Sequence, residues 1–283
     1  MKFAVIGSPV AHSKSPAMHA AAFSALGLSH TYEKLETTEA ELSARVDALR
    51  RGEFGGLNVT VPHKQRVLSL VDEIAPSALS IGAANTLVRT SEGRVVAHNT
   101  DAGALAQELA DAMMPARTGV VLGTGGAARA AVAALGSLGA RRVVVMGRRV
   151  DDSLQTVFEK ILSAASSAPS SLATTNVVVR DLAVRFSPPR DVACIIQATS
   201  CGMTGGGPGE IVADAIAWDT VSKAAIAIDV VYAPRETPFL RTARAHGIPA
   251  KDGLGMLARQ GALAFELWLG VTPPLDVMLA AIA

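Results

Sequence analysis

The stretch Val120-Val121-Leu122-Gly123-Thr124-Gly125-Gly126-Ala127-Ala128-Arg129-Ala130 decides how this chain is read. Val120–Leu122 is a short apolar run of the kind that forms a buried strand. Gly123–Gly126 makes a tight turn, Ala127–Leu138 reads as a helix, and Arg142–Met146 reads as the next strand. Together they form one βαβ unit of about 30 residues. The turn carries G-x-G-x-x-A at Gly123, Gly125 and Ala128. The first glycine permits the sharp strand-to-helix turn. The second lets the backbone approach a pyrophosphate, and the small third residue allows close helix–strand packing. The helix start adds free N–H donors and the positive end of a dipole. A glycine pattern alone is weak evidence. One that follows a strand, opens a helix and precedes another strand marks a dinucleotide site at Gly123, Thr124, Gly125, Gly126 and Ala127.

An NAD site places a carboxylate at the end of the second strand to bind a ribose hydroxyl. Here that strand ends Met146-Gly147-Arg148-Arg149. Two guanidinium groups suit a 2′-phosphate through forked, charge-assisted bonds. Arg148 and Arg149 therefore point to NADP, with Asp151 and Asp152 close behind as the competing feature.

Outward from this unit, strand-like and helix-like segments alternate along the chain. Upstream, Phe3–Ile6 reads as a strand and a helix follows from Pro16 with Ser15 as its N-cap. Next come a strand at Tyr32–Leu35, a helix at Glu39–Arg50, a strand at Gly56–Val59 and a helix beginning near Lys64. Thr86–Thr90 and Arg94–His98 read as a hairpin across Ser91-Glu92-Gly93, and Ala102–Met113 as a helix. Downstream strands are expected at Val177–Val179, Ala193–Gln197 and Ala225–Val230, with Ser163–Thr175 as a long loop or frayed helix end. Such alternation predicts an α/β fold. Two α/β domains are expected: residues 1–101 with 240–283 as a substrate-binding, catalytic domain with a mainly parallel sheet, and residues 102–239 as a Rossmann-type NADP-binding domain.

Composition supports this. With 283 residues there is room for about two domains. Hydrophobic residues make up 49% and charged ones 18%, which excludes a disordered chain. Basic and acidic residues number 26 and 25, so the basic excess of an electrostatic nucleic-acid binder is missing. Cys194 and Cys201 cannot make a disulfide framework and suit free thiols in a reducing compartment. The apolar run Phe3–Ile6 is too short for a signal peptide, and no stretch approaches the roughly 20 apolar residues of a membrane span. The expectation is a soluble cytoplasmic chain with a small-molecule substrate, no nucleic acid and no membrane, as monomer or homodimer.

Four polar clusters lie outside the βαβ unit: Ser13-Lys14-Ser15-Pro16, Asn58 to Lys64, Gly82-Ala83-Ala84-Asn85-Thr86 and His98-Asn99-Thr100-Asp101. Three follow strands, and open α/β sheets bind ligands beyond the carboxyl ends of their strands. Singly, each reads as caps and turns. Jointly they offer hydroxyls, amides, one ammonium and one carboxylate, a set suited to a small polyhydroxylated anion. The histidines show no HExxH or paired-ligand spacing, so no metal is expected.

The polar clusters and the chain's further motifs bring a family into view. GSPVAHSKSPAMH (7–19), LNVTVPHK (57–64), IGAANTL (81–87), HNTDAGAL (98–105), GTGGAARA (123–130), IDVVYAPRETPFL (228–240) and DGLGMLARQGALAFELW (252–268) stand in one order along the chain. Each is modest evidence, but the ordered set resembles the shikimate dehydrogenases almost end to end. The resemblance implies reversible NADPH-dependent reduction of 3-dehydroshikimate to shikimate in chorismate and aromatic amino acid biosynthesis. It implies Lys64 and Asp101 as the catalytic pair. Ser13, Ser15, Asn58, Thr60, Asn85 and Gln260 would hold substrate, with Tyr232 nearby. Thr199, Met203, Val230 and Gly253 would surround the nicotinamide end. Departures are Gly147-Arg148-Arg149 where the family often has Asn-Arg-Thr, and Gln197-Ala198-Thr199 where it has Asn-x-Thr. Two alternatives stay open: a quinate/shikimate dehydrogenase using NAD or NADP, and a non-catalytic metabolite sensor.

Overall fold

The computed structural model describes residues 1–112, 118–166 and 176–283. The chain divides into two units, residues 1–104 with 254–283, and residues 105–253. The chain opens with β1 (Lys2–Gly7), α1 (Ser15–Ala25), β2 (Thr31–Glu36), α2 (Leu42–Arg50) and β3 (Gly56–Val59). Then come β4 (Glu73–Ile74), α3 (Pro76–Leu79), β5 (Thr86–Arg89), β6 (Val95–His98) and α4 (Asp101–Asp111). The six strands form one sheet in the order β2-β1-β3-β5-β6-β4. Every neighbouring pair is parallel except those of β5, which runs antiparallel to both β3 and β6. Ala4, Ile6, Leu57, Val59, Leu87 and Ala97 pack in its core with Leu42, Val46 and Leu49 of α2. β3 is buried throughout, as a strand covered on both faces must be.

The structure departs from the sequence expectation at Ser15 and after β3. Ser15 is not a cap but the first residue of α1; its N–H donates to Ser13 Oγ at 3.2 Å. No α-helix begins near Lys64. Residues 66–69 form a single 3₁₀ turn instead. The Lys64 carbonyl accepts from Ala84 N–H at 2.7 Å, so it is diverted to another segment and unavailable for a helical ladder.

The second unit contains β7 (Thr118–Leu122), α5 (Gly126–Ser137), β8 (Arg142–Gly147), α6 (Asp152–Ala165), β9 (Asn176–Asp181) and β10 (Val192–Gln197). It continues with α7 (Glu210–Asp214), β11 (Ile226–Asp229), α8 (Pro238–Ala245) and β12 (Ala250–Lys251). Its sheet is entirely parallel, in the order β12-β11-β10-β7-β8-β9. Strand order reverses at β7, the switch point where a doubly wound sheet opens a ligand crevice. Of the expected loop at 163–175, residues 163–165 complete α6 and residues 167–175 lie outside the described residues, as does Met113 at the end of the expected fourth helix.

α9 (Leu254–Leu269) and α10 (Leu275–Ala280) belong to the first unit. Residues 240–253 do not, contrary to the expectation of a return from 240. β12 pairs with β11, and Phe239, Leu240 and Ala243 are buried in the core of the second unit. Gly261 of α9 is a close approach: a Cβ there would collide with Met18 and stand 3.4 Å from His19 Nε2.

His19 is fully buried with neither ring nitrogen hydrogen-bonded. It stacks on Tyr32 at 4.3 Å between ring centroids and on Phe265 at 6.2 Å, with Phe23 and Trp268 also against it. Burial pushes its pKa down to about 3. A proton then binds the unfolded chain better, so stability is intact above the ordinary value near 6.5 and erodes as pH falls below it. Between pH 7 and pH 5 the wild type should lose about 2 kcal/mol more than His19→Leu in urea denaturation. Equal losses would refute this account of the cage.

Candidate active site

The antiparallel strand explains how the polar clusters meet. β1, β3 and β6 end at one edge of the first sheet, followed by Ser13 and Ser15, by Thr60 and Lys64, and by Asn99 to Asp101. β5 runs the other way, so its start, preceded by Asn85, lies at that same edge. All four clusters therefore share the carboxyl edge, including the one that precedes its strand.

Lys64 Nζ donates to Asp101 Oδ2 at 2.6 Å, with the two side chains 15% and 5% exposed. Asp101 is free for this role because Asn99 Oδ1 takes the N–H of Ala102 at the start of α4. Asn85, 2% exposed, is the hub. Its Nδ2 lies 2.9 Å from Asp101 Oδ1, 2.9 Å from Thr100 Oγ1 and 3.2 Å from Gln260 Oε1. Its Oδ1 accepts from Thr100 N–H at 2.7 Å. Gln260 is carried by α9, and its carbonyl accepts from Thr100 Oγ1 at 3.0 Å. Asn58 joins from β3: Nδ2 donates to the Asn85 carbonyl at 3.1 Å, and Oδ1 accepts from Tyr32 O–H at 2.7 Å. The sequence did not single out Tyr32; no motif marks it. Asn58, Lys64, Asn85, Asp101 and Gln260 are thus one network, and Ser13, Ser15 and Thr60 stand at the same edge. Tyr232 belongs to the second unit.

In the second unit the glycine turn behaves as its pattern requires. Gly123 has φ +120°, and a Cβ there would sit 2.9 Å from the Ala198 carbonyl. At Gly125, by contrast, a Cβ would meet nothing within 4 Å. The backbone is open on that side, with α5 starting at Gly126. A cavity of about 450 Å³ lies beside it, lined by Thr124, Arg148 and Arg149. Open turn, helix start and two guanidinium groups fit the diphosphate and 2′-phosphate of NADP. Asp151 does not compete. Its carboxylate caps α6, accepting from Leu154 N–H at 2.8 Å and Ser153 Oγ at 2.6 Å, and these bonds hold its pKa below the usual range. Gly147, where the family often has Asn, lies against Thr124: any Cβ would collide with Thr124 Cγ2.

The Gln197 departure also has a structural account. Gln197 Nε2 donates to the Cys201 carbonyl at 3.0 Å and lies within 3.3 Å of the Thr199 carbonyl and 3.2 Å of Asp229 Oδ1, while Oε1 accepts from Thr199 N–H. One side chain holds the segment from Thr199 towards Met203. Its backbone carbonyl accepts from Val230 N–H at 3.0 Å, and Gly253 is pressed so closely on the Val230 carbonyl that a Cβ would not fit. Thr199, Val230 and Gly253 are therefore neighbours. Asp229, which lies in the 228–240 motif without a chemical signature of its own, is fully buried and also accepts from Thr237 O–H at 2.6 Å and Val231 N–H at 2.9 Å.

Such an arrangement belongs to the class of two-unit α/β oxidoreductases that use a dinucleotide. The comparisons are more specific. Residues 5–87 match the shikimate dehydrogenase substrate binding domain, and residues 253–283 match the shikimate 5′-dehydrogenase C-terminal domain. A shikimate dehydrogenase (NADP(+)) of Geobacter sp. (strain M21) is 39% identical, covering 99% of this chain and 93% of its own. The crystal structure of shikimate 5-dehydrogenase from Thermus thermophilus with NADP(H) and shikimate superposes with a TM-score of 0.81 at 35% identity, covering 100% of this chain and 98% of that one. Quinate dehydrogenase from Corynebacterium glutamicum in complex with NAD gives 0.80 at 28%, covering 99% and 98%. This chain belongs to the shikimate dehydrogenase family.

Among the described residues no helix is long and apolar enough to cross a membrane. Burial pushes the Asp229 carboxyl up to about 7, against the donors around it. The folded chain therefore holds a proton there that the unfolded chain releases near pH 4, and stability falls as pH rises towards 7. Asp229→Asn keeps the size without the charge. Its stability relative to wild type should improve by about 2 kcal/mol between pH 5 and pH 8 in urea denaturation. A constant difference across that range would contradict the burial argument.

Proposed function

We propose that this chain is an NADP-dependent shikimate dehydrogenase, reducing 3-dehydroshikimate reversibly to shikimate on the way to chorismate and the aromatic amino acids. The observation that carries this reading is the shielded Lys64–Asp101 pair, 2.6 Å apart at the edge where the polar clusters meet. When bound, NADPH supplies the hydride. Reduction of a ketone builds negative charge on oxygen, which a proton donor within about 3 Å must quench. Lys64 has three N–H donors, of which Asp101 takes one. The remaining donors can meet a carbonyl oxygen, stabilise its charge and deliver the proton. In the oxidising direction the same nitrogen takes the proton back. Asp101 fixes the lysine, and its other oxygen is fixed by Asn85.

Ser13, Ser15, Asn58, Thr60, Asn85, Gln260 and Tyr232 are assigned to the substrate carboxylate and hydroxyls. Amides and hydroxyls suit this task because they both donate and accept. The backbone of Gly123 to Ala127 is assigned to the pyrophosphate, Arg148 and Arg149 to the 2′-phosphate, and Thr199, Met203, Val230 and Gly253 to the nicotinamide end. A cytoplasmic setting accords with the free thiols Cys194 and Cys201.

Initial rates with shikimate and with quinate, each with NADP and NAD, test the assignment. Shikimate with NADP should give the highest rate, and Lys64→Ala should lower kcat by about 10²–10⁴-fold with NADP affinity retained. Preference for quinate or NAD would move the chain to the quinate branch of the family. A chain that binds NADP but turns over neither substrate would be a metabolite sensor.

A further inference from the structure

A second cavity, of about 480 Å³, shares Arg148 with the one beside the glycine turn. It is lined by Arg148 and Val150 after β8, by Arg180 on β9, and by Val184, Arg185 and Phe186 beyond it. Register explains the convergence. β8 and β9 are parallel neighbours with Met146 beside Arg180 and Gly147 beside Asp181, so Arg148 and Arg180 both emerge at the carboxyl ends of adjacent strands. Arg180 lies over the Phe186 ring, 5.0 Å from its centroid, which holds the guanidinium plane against an aromatic face. Arg185 pairs with Asp219 at 3.6 Å, with the two side chains 65% and 72% exposed, and such a pair is worth little and exchanges easily. Among the described lining residues the carboxylate is Asp181, which accepts from Ala183 N–H at 2.9 Å and closes the turn after β9. Among the described residues the cavity thus offers three guanidiniums, one carboxylate, and an apolar wall of Val150, Val184 and Phe186.

We propose that Arg180 and Arg185 are specificity-determining residues that bind the 2′-phosphoadenosine end of the cofactor together with Arg148. This rests on the NADP reading above and extends it from the loop after β8 to β9. A ligand that combines a flat heteroaromatic ring with a dianionic phosphate matches the lining. The ring lies against the apolar wall, and the phosphate meets guanidiniums from two sides. A cofactor without the 2′-phosphate leaves these cations with nothing to neutralise, so they discriminate without touching the reacting atoms.

Calorimetric titration of the full chain with 2′,5′-ADP and with 5′-AMP tests this without turnover. The wild type should prefer 2′,5′-ADP. Arg180→Gln and Arg185→Gln should each cut that preference roughly tenfold, leaving 5′-AMP affinity within about twofold, since a hydrogen bond to a charged group contributes about 1.5–3 kcal/mol. Arg180→Lys should recover part of the loss. Both residues are exposed, so thermal melts should match wild type, and if one variant fails to fold the other decides. Variants with the wild-type preference overturn the proposal, and so does an equal loss for both ligands, which would mean a role without phosphate selectivity. No preference in the wild type would instead overturn the NADP reading itself and this inference with it.

Discussion

Burying the Asp101 carboxylate is costly unless both its oxygens are hydrogen-bonded, and the first unit is arranged to meet that condition. Oδ2 takes the Lys64 ammonium and Oδ1 takes the Asn85 amide. Lys64 can arrive only because the chain after β3 turns tightly instead of starting a helix, its own carbonyl being spent on Ala84. Asn85 can arrive only because β5 reverses direction in a sheet whose other strands run together. Asn99 relieves Asp101 of capping α4, and Gln260 brings α9 to the far side of Asn85. A single charged group is thus linked to a reversed strand, to the turn after β3 and, through Asn85, to a C-terminal helix. Losing either partner would leave a buried charge uncompensated, so the pair is a structural commitment whatever else it does.

The second unit solves a different problem by different means. Much of it works through backbone, and there the constraints fall on residues that lack side chains. Gly123 needs a positive φ and a close approach to Ala198, Gly253 a close approach to Val230, and Gly125 leaves a surface uncovered. The exception is Gln197, whose side chain does for the Thr199 segment what backbone pairing does elsewhere. Its amide is one methylene longer than asparagine and reaches both that segment and the Asp229 carboxylate.

These different means also explain what could be read from sequence. Glycine at a forced turn leaves a residue-type signature, so the turn after β7 and its switch-point strand were legible. The polar clusters were legible as clusters, but their convergence depended on the direction of β5, which no local pattern states. The helix expected at Lys64 failed because a tertiary hydrogen bond overrode a local preference. Residues 240–253 were assigned to the wrong unit because β12, two residues long, pairs with β11 through a register no periodicity reveals. Tyr32 and Asp229 carry no motif of their own, and only their partners make them matter.

Three aspartates show how little the residue type alone decides. Asp151 is exposed at a helix start, and hydrogen bonds from that turn keep it ionised and occupied. Asp229 is buried among neutral donors, Thr237, Val231 and Gln197, and burial outweighs them, raising its pKa to about 7. It ties segments together and has no cation to exchange a proton with among those partners. Asp101 is as deeply buried but faces an ammonium that is itself 15% exposed and has donors to spare. Of these three carboxylates, Asp101 is the one hydrogen-bonded to an ammonium. Environment alone separates the cap, the brace and the carboxylate held against an ammonium.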